Sequence, residues 1–250
     1  MASLQKIAAF CDKRTRRHEI RDFKGACNGL QFENTGIIQK VGASVDAGLI
    51  PFQKAVDRNV DLLIVHHGMY WSPLQPITGV KFQKVNTLLN GGLAVYSSHL
   101  PLDCHSEIGN NALLAKEIGL QPTGTFLDYE GTEIGLITEG ISRLDLIEKL
   151  QKTFDDKVQS IEFGSEKPNK IAILTGSGSS AVSELKRIGV DTLITGELRQ
   201  NHYNQAQEEG LNLYLCGHYA TEVYGVCALA KEISQKFEIP WEFIATDCPL

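Results

Sequence analysis

The chain has 250 residues, 42% of them apolar and 22% charged, enough to bury one large or two modest cores, which excludes a disordered chain. A formal net charge of −6 argues against a protein that wraps nucleic acid, because there is no excess of Lys and Arg to displace counterions. No stretch approaches the roughly 18 consecutive apolar residues that span a bilayer, and the N-terminus lacks the apolar core of a signal peptide, so a cytoplasmic protein with no membrane partner is expected.

Six cysteines are scattered without a C-x-x-C pair, which suggests neither a disulfide framework nor a zinc ribbon. The basic run Lys13-Arg14-Thr15-Arg16-Arg17-His18 is flanked by Asp12 and Glu19 and reads as a solvated face.

In chain order, hydrophobic periodicity and capping signals predict a helix over 4–11, a strand over 35–45, a helix over 51–58, a strand over 62–65 and a helix over 82–90. A strand over 93–96, a helix over 110–118 and a strand over 134–138 follow, with a turn-rich stretch at 121–125 that reads as a domain junction. The remainder alternates: helix 143–154, strand 171–175, helix 179–188, strand 192–195, helix 202–209, strand 211–215, helix 221–237 and strand 241–245. Alternation of this kind predicts an α/β fold with mainly parallel or mixed sheets covered by helices.

The apolar run Val60-Asp61-Leu62-Leu63-Ile64-Val65 ends in His66-His67-Gly68. Two imidazoles just past a buried strand lie where sites in α/β proteins collect; they read either as a strand cap beside a solvated ring or as a ligand pair.

The chain also repeats itself. Residues 60–67 match residues 190–197, where Gly196-Glu197 replaces the histidine pair. The next strands match too: Leu93-Ala94-Val95-Tyr96 leads to His99 and Asp103, as Leu211-Asn212-Leu213-Tyr214 leads to His218 and Glu222. Two such halves related by a pseudo-twofold would bring equivalent strand ends to one shared site.

Those positions supply imidazoles and carboxylates without thiolate, a set suited to zinc, iron or manganese in a hydrolytic or Lewis-acid centre. Two ions would need a bridging ligand, for which Asp103 or Glu222 qualifies. The i, i+4 spacing of His218 and Glu222 is also that of an ordinary helix-surface pair, and Asp103 and Thr221 could merely cap helices. His105 and His202 lie on polar stretches and are expected to be solvated. The Gly176-Ser177-Gly178 turn follows a strand and opens a helix; it suits a phosphate, although it lacks the lysine of a P-loop and a plain tight turn fits equally.

Six motifs in order carry a resemblance: Asn28-Gly29-Leu30-Gln31, Val65-His66-His67-Gly68, Ser98-His99-Leu100-Pro101-Leu102-Asp103 running into Gly109-Asn110-Asn111, Leu174-Thr175-Gly176-Ser177-Gly178, Ile194-Thr195-Gly196-Glu197 and Gly217-His218-Tyr219-Ala220-Thr221-Glu222. In them the chain resembles the Nif-three-like dinuclear metal centre family, also named type 2 homologues of GTP cyclohydrolase I, in its short form without an inserted domain.

The resemblance implies two pseudosymmetric α/β domains, taken as residues 1–125 with 223–250 and residues 126–222, with a metal site in the cleft between them. It further implies two divalent ions per subunit on His66, His67, Asp103, His218 and Glu222, with Asp103 as the best bridge. His99 is then an outer partner that orients the site or a proton shuttle, with Glu197 a weaker candidate for a similar role; the phosphate contact of Gly176, Ser177 and Gly178 is read from the turn itself. The implied assembly is a homohexamer built as a trimer of dimers. The implied activity is a metal-dependent hydrolase on a nucleotide, in which water attacks C8 of GTP. The alternatives are a metal-dependent phosphoesterase and a non-catalytic hexameric scaffold or metal-handling protein.

Overall fold

The computed structural model describes residues 1–71, 75–155 and 157–249. The chain divides into two units, Met1–Leu102 with Gly225–Asp247, and Asp103–Tyr224 with the C-terminal residues from Cys248.

In the first unit the order is β1 (Ala2–Ser3), α1 (Leu4–Arg14), β2 (Gly29–Phe32), β3 (Ile37–Ile38), β4 (Val41–Asp46), α2 (Leu49–Asp57), β5 (Leu62–His67), α3 (Gly79–Gly91), β6 (Ala94–Ser97) and the short α4 (Leu100–Asp103) at its limit. The second unit continues with α5 (Asn110–Glu117), β7 (Pro122–Tyr129), β8 (Thr132–Glu139), α6 (Arg143–Thr153), β9 (Gln159–Glu162), β10 (Lys170–Ser177), α7 (Ser179–Val182), β11 (Thr192–Glu197), α8 (Asn201–Glu209) and β12 (Asn212–Leu215). Helix α9 (His218–Phe237) starts in the second unit and ends in the first, which β13 (Trp241–Phe243) completes.

Each unit is built on a mixed sheet. The first has the order β13-β4-β5-β6-β2, parallel except for β2 at its edge. The second has the order β7-β8-β10-β11-β12-β9, parallel in β10-β11-β12 and antiparallel outside it. The first therefore holds four adjacent parallel strands and the second three, each followed by an antiparallel strand, β2 beside β6 and β9 beside β12. That common topology is what the sequence repeat encodes: β5 corresponds to β11 and β6 to β12.

The central strands are buried along nearly their whole length because both faces are covered. In β5 the residues from Leu62 to His66 are all buried, as a parallel strand under helices requires. Leu63, Val65 and Val95 pack with Phe52 of α2 and Leu88 of α3; in the second unit Ile171, Ile173, Ile194 and Tyr214 pack with Leu146 and Leu150 of α6. Truncating one such aliphatic residue to Ala costs about 2–5 kcal/mol, the lost transfer energy plus the cavity.

The strand predicted over 35–45 is divided at Gln39-Lys40, where the Asp61 carboxylate accepts both backbone N–H groups at 2.7 and 3.0 Å. The stretch 121–125, read as a junction, instead enters β7, which pairs with β8 within the second unit. The helix expected over 179–188 is α-helical only through Val182 and continues as turns. Strands β2 and β9 have no strong sequence signal because they are short edge strands with a polar or exposed face.

Candidate metal centre

In the first unit the carboxyl ends of three parallel strands gather the donors. His66 and His67 end β5, His99 follows β6, and Asp46 at the end of β4 stands in register with His67. Gly68 turns the chain out of the sheet. A side chain there would meet the Gln31 amide and the Ser97 hydroxyl, so glycine lets these groups close over the strand end without shifting. One nitrogen each of His66, His67 and His99 lie within 4.8 Å of one another.

The Nδ1 atoms fix which nitrogens those are. Nδ1 of His66 lies 3.0 Å from the Ser98 carbonyl, that of His67 2.8 Å from Asp46 Oδ1, and that of His99 2.8 Å from Asp22 Oδ1. Carbonyl and carboxylate oxygens only accept, so each Nδ1 carries a proton, and in the neutral ring the lone pair is then on Nε2. This is the arrangement in which histidine ligates metals, with an outer acceptor setting tautomer and orientation.

The second unit begins at Asp103, the last residue of α4 after β6, and carries Glu222 on α9 after β12. Asp103 is 6% exposed and Glu222 3% exposed, and a carboxylate oxygen of one lies within 4.8 Å of one of the other. Asn110 donates to Asp103 Oδ1 at 2.7 Å, while Asn111 donates to the Ile134 carbonyl and accepts from the Thr175 amide, tying α5 to β8 and β10. Buried carboxylates this close repel one another unless protons or cations neutralise them, which is the chemistry a divalent ion supplies.

His218 stands between two carboxylates, Nδ1 3.0 Å from Glu197 and Nε2 3.2 Å from Glu222. Burial pushes its pKa down, but the hydrogen bonds and charges of Glu222 and then Glu197 outweigh that and hold it up to about 9. Without metal, its Nε2 proton is shared with Glu222; a cation on that nitrogen takes the proton's place.

Gly176, at φ +67°, explains the glycine turn after β10: a methyl group there would collide with the Glu222 carboxylate and press on His218. Its N–H donates to Thr221 Oγ1 at 3.0 Å, and the Gly178 N–H donates to the Glu197 carbonyl at 3.1 Å. Two of the amides expected to face a phosphate are thus already engaged, and α7 behind them is four residues long. The turn serves close packing of the carboxylate site.

The profile of the Duf34/NIF3 (NGG1p interacting factor 3) family matches residues 2–249. The chain belongs to the Duf34/NIF3 family. It is similar to a Deinococcus radiodurans protein named GTP cyclohydrolase 1 type 2 homolog, 37% identical with 87% of this chain and 84% of that protein covered. A protein of the same name from Archaeoglobus fulgidus is 34% identical, with 97% of each chain covered. Among solved structures, a Thermus thermophilus protein, TTHA1606, superposes with a TM-score of 0.88 at 32% identity, covering 99% of this chain and 100% of that one.

In this Duf34/NIF3 protein the six sequence motifs turn out to be the strand ends and the loops that support them. Asn28 accepts from the His99 amide and donates to Asp22, and Gln31 accepts from the Met69 amide. Thr221 does not cap a helix; it ties α9 to Gly176. His105 Nδ1 accepts the amides of Glu107 and Ile108 at 3.1 and 3.3 Å. His202, expected to be solvated, is 6% exposed because it lies on the inward face of α8. Cys216 is a buried thiol whose pKa burial pushes up to about 12, in keeping with a small hydrophobe rather than a ligand.

Asp22 carries no sequence signal as a site residue, and Asp46 carries only a positional one. Asp22 lies far along the chain from His99, in a stretch with no periodic pattern, and Asp46 ends a strand like many others. The signal available for Asp46 was its place at the end of the strand before β5.

Proposed function

We propose that this protein holds two divalent metal ions on His66, His67, Asp103, His218 and Glu222, and that it is a metal-dependent hydrolase acting on a nucleotide. The observation that carries the reading is the common treatment of His66, His67 and His218: each Nδ1 is committed to a carbonyl or carboxylate, which orients each Nε2 for a cation. Bound divalent ions would supply Lewis acidity and lower the pKa of a coordinated water.

The residues of the chain do the rest. Asp103, which accepts a hydrogen bond from Asn110, would hold the ions as their shared carboxylate. Glu197 orients His218, and His99 moves the proton. Zinc, iron and manganese all suit this donor set. Ring opening of GTP is the first substrate reading, supported by the name that the relatives bear. A phosphoesterase would use the same paired ions to clamp an in-line displacement.

Among the described residues no helix is long and apolar enough to cross a membrane, and the reading places the protein in the cytoplasm. Self-assembly into a homohexamer belongs to the same reading. Ile77, Val80, Phe82 and Leu89, on and before α3, are all more than half exposed and supply apolar surface that such an assembly would cover.

The test is metal content per subunit, followed by assay against GTP and a panel of phosphoesters. The expected result is about two ions per subunit and turnover that disappears in Asp103→Ala. Full occupancy with no turnover on any substrate would instead favour the non-catalytic scaffold or metal-handling protein. Fewer than about one ion per subunit after purification with zinc, iron or manganese would overturn the metal site itself.

A further inference from the structure

The histidines differ in what stands behind Nδ1. His66 backs onto a backbone carbonyl. His67 backs onto Asp46, 48% exposed, and His218 onto Glu197, 51% exposed. Behind His99 stands Asp22, whose side chain is 5% exposed.

Asp22 is held on every side. Its Oδ1 accepts from the Phe23 amide at 2.7 Å as well as from His99, and its Oδ2 accepts from Asn28 Nδ2 at 2.7 Å and the Leu100 amide at 2.9 Å. Asn28 closes the ring by accepting the His99 amide at 2.8 Å. Each of these contacts brings an N–H to the carboxylate, so all are satisfied together only when Asp22 is ionised and purely an acceptor. Trp71 stands edge-on to the His99 ring at 4.7 Å and Phe23 lies against it at 5.7 Å, which limits rotation of the imidazole.

We propose that Asp22 is the positioning residue of His99: it holds the proton on Nδ1, so that the Nε2 lone pair beside His66 and His67 accepts a proton during turnover. The purpose of this dyad rests on the hydrolase reading; its geometry does not. A base must carry positive charge after it has taken the proton. A desolvated, fully hydrogen-bonded carboxylate offsets that charge more strongly than the carbonyl behind His66 or the solvent-screened carboxylates behind His67 and His218. In the step itself, Nε2 takes a proton from water or a substrate hydroxyl and that O–H electron pair becomes the nucleophile's. Nδ1–H stays on Asp22, and the Nε2 proton passes to the leaving group, which restores the neutral ring.

The test is an imidazole nitrogen–proton correlation spectrum of the ¹⁵N-labelled, metal-free protein. His99 is expected with Nδ1 protonated and Nε2 bare, and Asp22→Asn, whose amide offers N–H to Nδ1, is expected to move the proton to Nε2 while metal content per subunit stays that of the parent. If the hydrolase reading holds, kcat in that variant falls by up to about 10⁴-fold with little change in KM, the loss a wrong-tautomer histidine causes.

A parent spectrum with the proton on Nε2, or a variant with an unchanged tautomer, overturns the dyad. So does a His99→Gln variant that loses metal as fully as His66→Gln, which would make His99 a ligand. Should Asp22→Asn fail to fold, the parent spectrum and His99→Gln still decide. Absence of turnover alongside the expected tautomer shift and unchanged metal content would count against the hydrolase reading and the proton-accepting role, while the positioning by Asp22 would stand.

Discussion

The two units place their donors at the same strand ends but offer different chemistry there. The first presents three imidazoles, two of them backed by carboxylates that stand behind the rings rather than among the donors. The second presents the buried carboxylates Asp103 and Glu222 with one imidazole held between Glu222 and Glu197. The repeat thus places a carboxylate after β6, Asp103, and after β12, Glu222, alike, and the chemical difference lies at the ends of β5 and β11. Where β5 ends in His66-His67, β11 ends in Gly196-Glu197; a side chain at Gly196 would strike the Gly176 carbonyl and His218. The repeat was free to diverge chemically because the strands behind these ends, not the ends themselves, hold each core.

The largest expected effect tests whether the units stand or fall together. Leu63→Ala in the first and Ile194→Ala in the second should each cost about 2–5 kcal/mol in denaturant melts. If each substitution shifts its own transition, the units unfold independently; a single shared transition would show them to be one cooperative body.

Gly176→Ala comes next, since it must both adopt a left-handed φ and displace Glu222. A loss of more than about 1 kcal/mol is expected, with metal affinity reduced together with stability. Unchanged affinity would remove Glu222 from the ligand set.

Asp46→Asn and Glu197→Gln probe the outer acceptors of the two units. Each should weaken metal binding by about 10–100-fold in isothermal titration without unfolding the protein. A deficit in only one of them would show that the units contribute unequally.

The pH responses should run in opposite directions. Burial pushes the Asp22 carboxyl up, but the hydrogen bond and charge of His99, with Asn28 and the Phe23 amide, outweigh it and leave its pKa below the ordinary value. Its stabilising contribution is therefore full above the unfolded pKa of about 3.9 and lost as pH falls through the lower folded value. His218, raised to about 9, does the reverse in the metal-free protein: its contribution is full below about 6.5 and lost as pH rises through 9. Metal must displace that proton, so affinity should climb by up to about tenfold per pH unit as pH rises towards 9 and then level off. The rise in Tm on adding metal should widen over the same range in thermal scans, and a pH-independent rise would take His218 out of the site.

The smallest effects belong to exposed ion pairs such as Arg16–Glu19 and Arg187–Glu184. Removing either should change stability by less than about 1 kcal/mol, and by less still at high salt.

The sequence by itself determined the α/β class, the repeat and the positions of His66, His67, His99, Asp103, His218 and Glu222. Apolar runs of strand length, helical periodicity between them and polar groups just past strand ends are local signals, and buried parallel strands leave them strongly marked. It could not show β2, β7 and β9, because an edge strand buries little and is stabilised by its neighbour's backbone rather than by its own pattern. Nor could it show Asp22 behind His99, Asn110 behind Asp103 or Glu222 against Gly176. The energy of those contacts depends on hydrogen-bond direction and desolvation, which exist only after the strands have set the connecting segments in place. That is also why the glycine turn read as a phosphate cradle: its sequence permits one, and only the positions of Thr221 and Glu197 showed that two of its amides were already engaged.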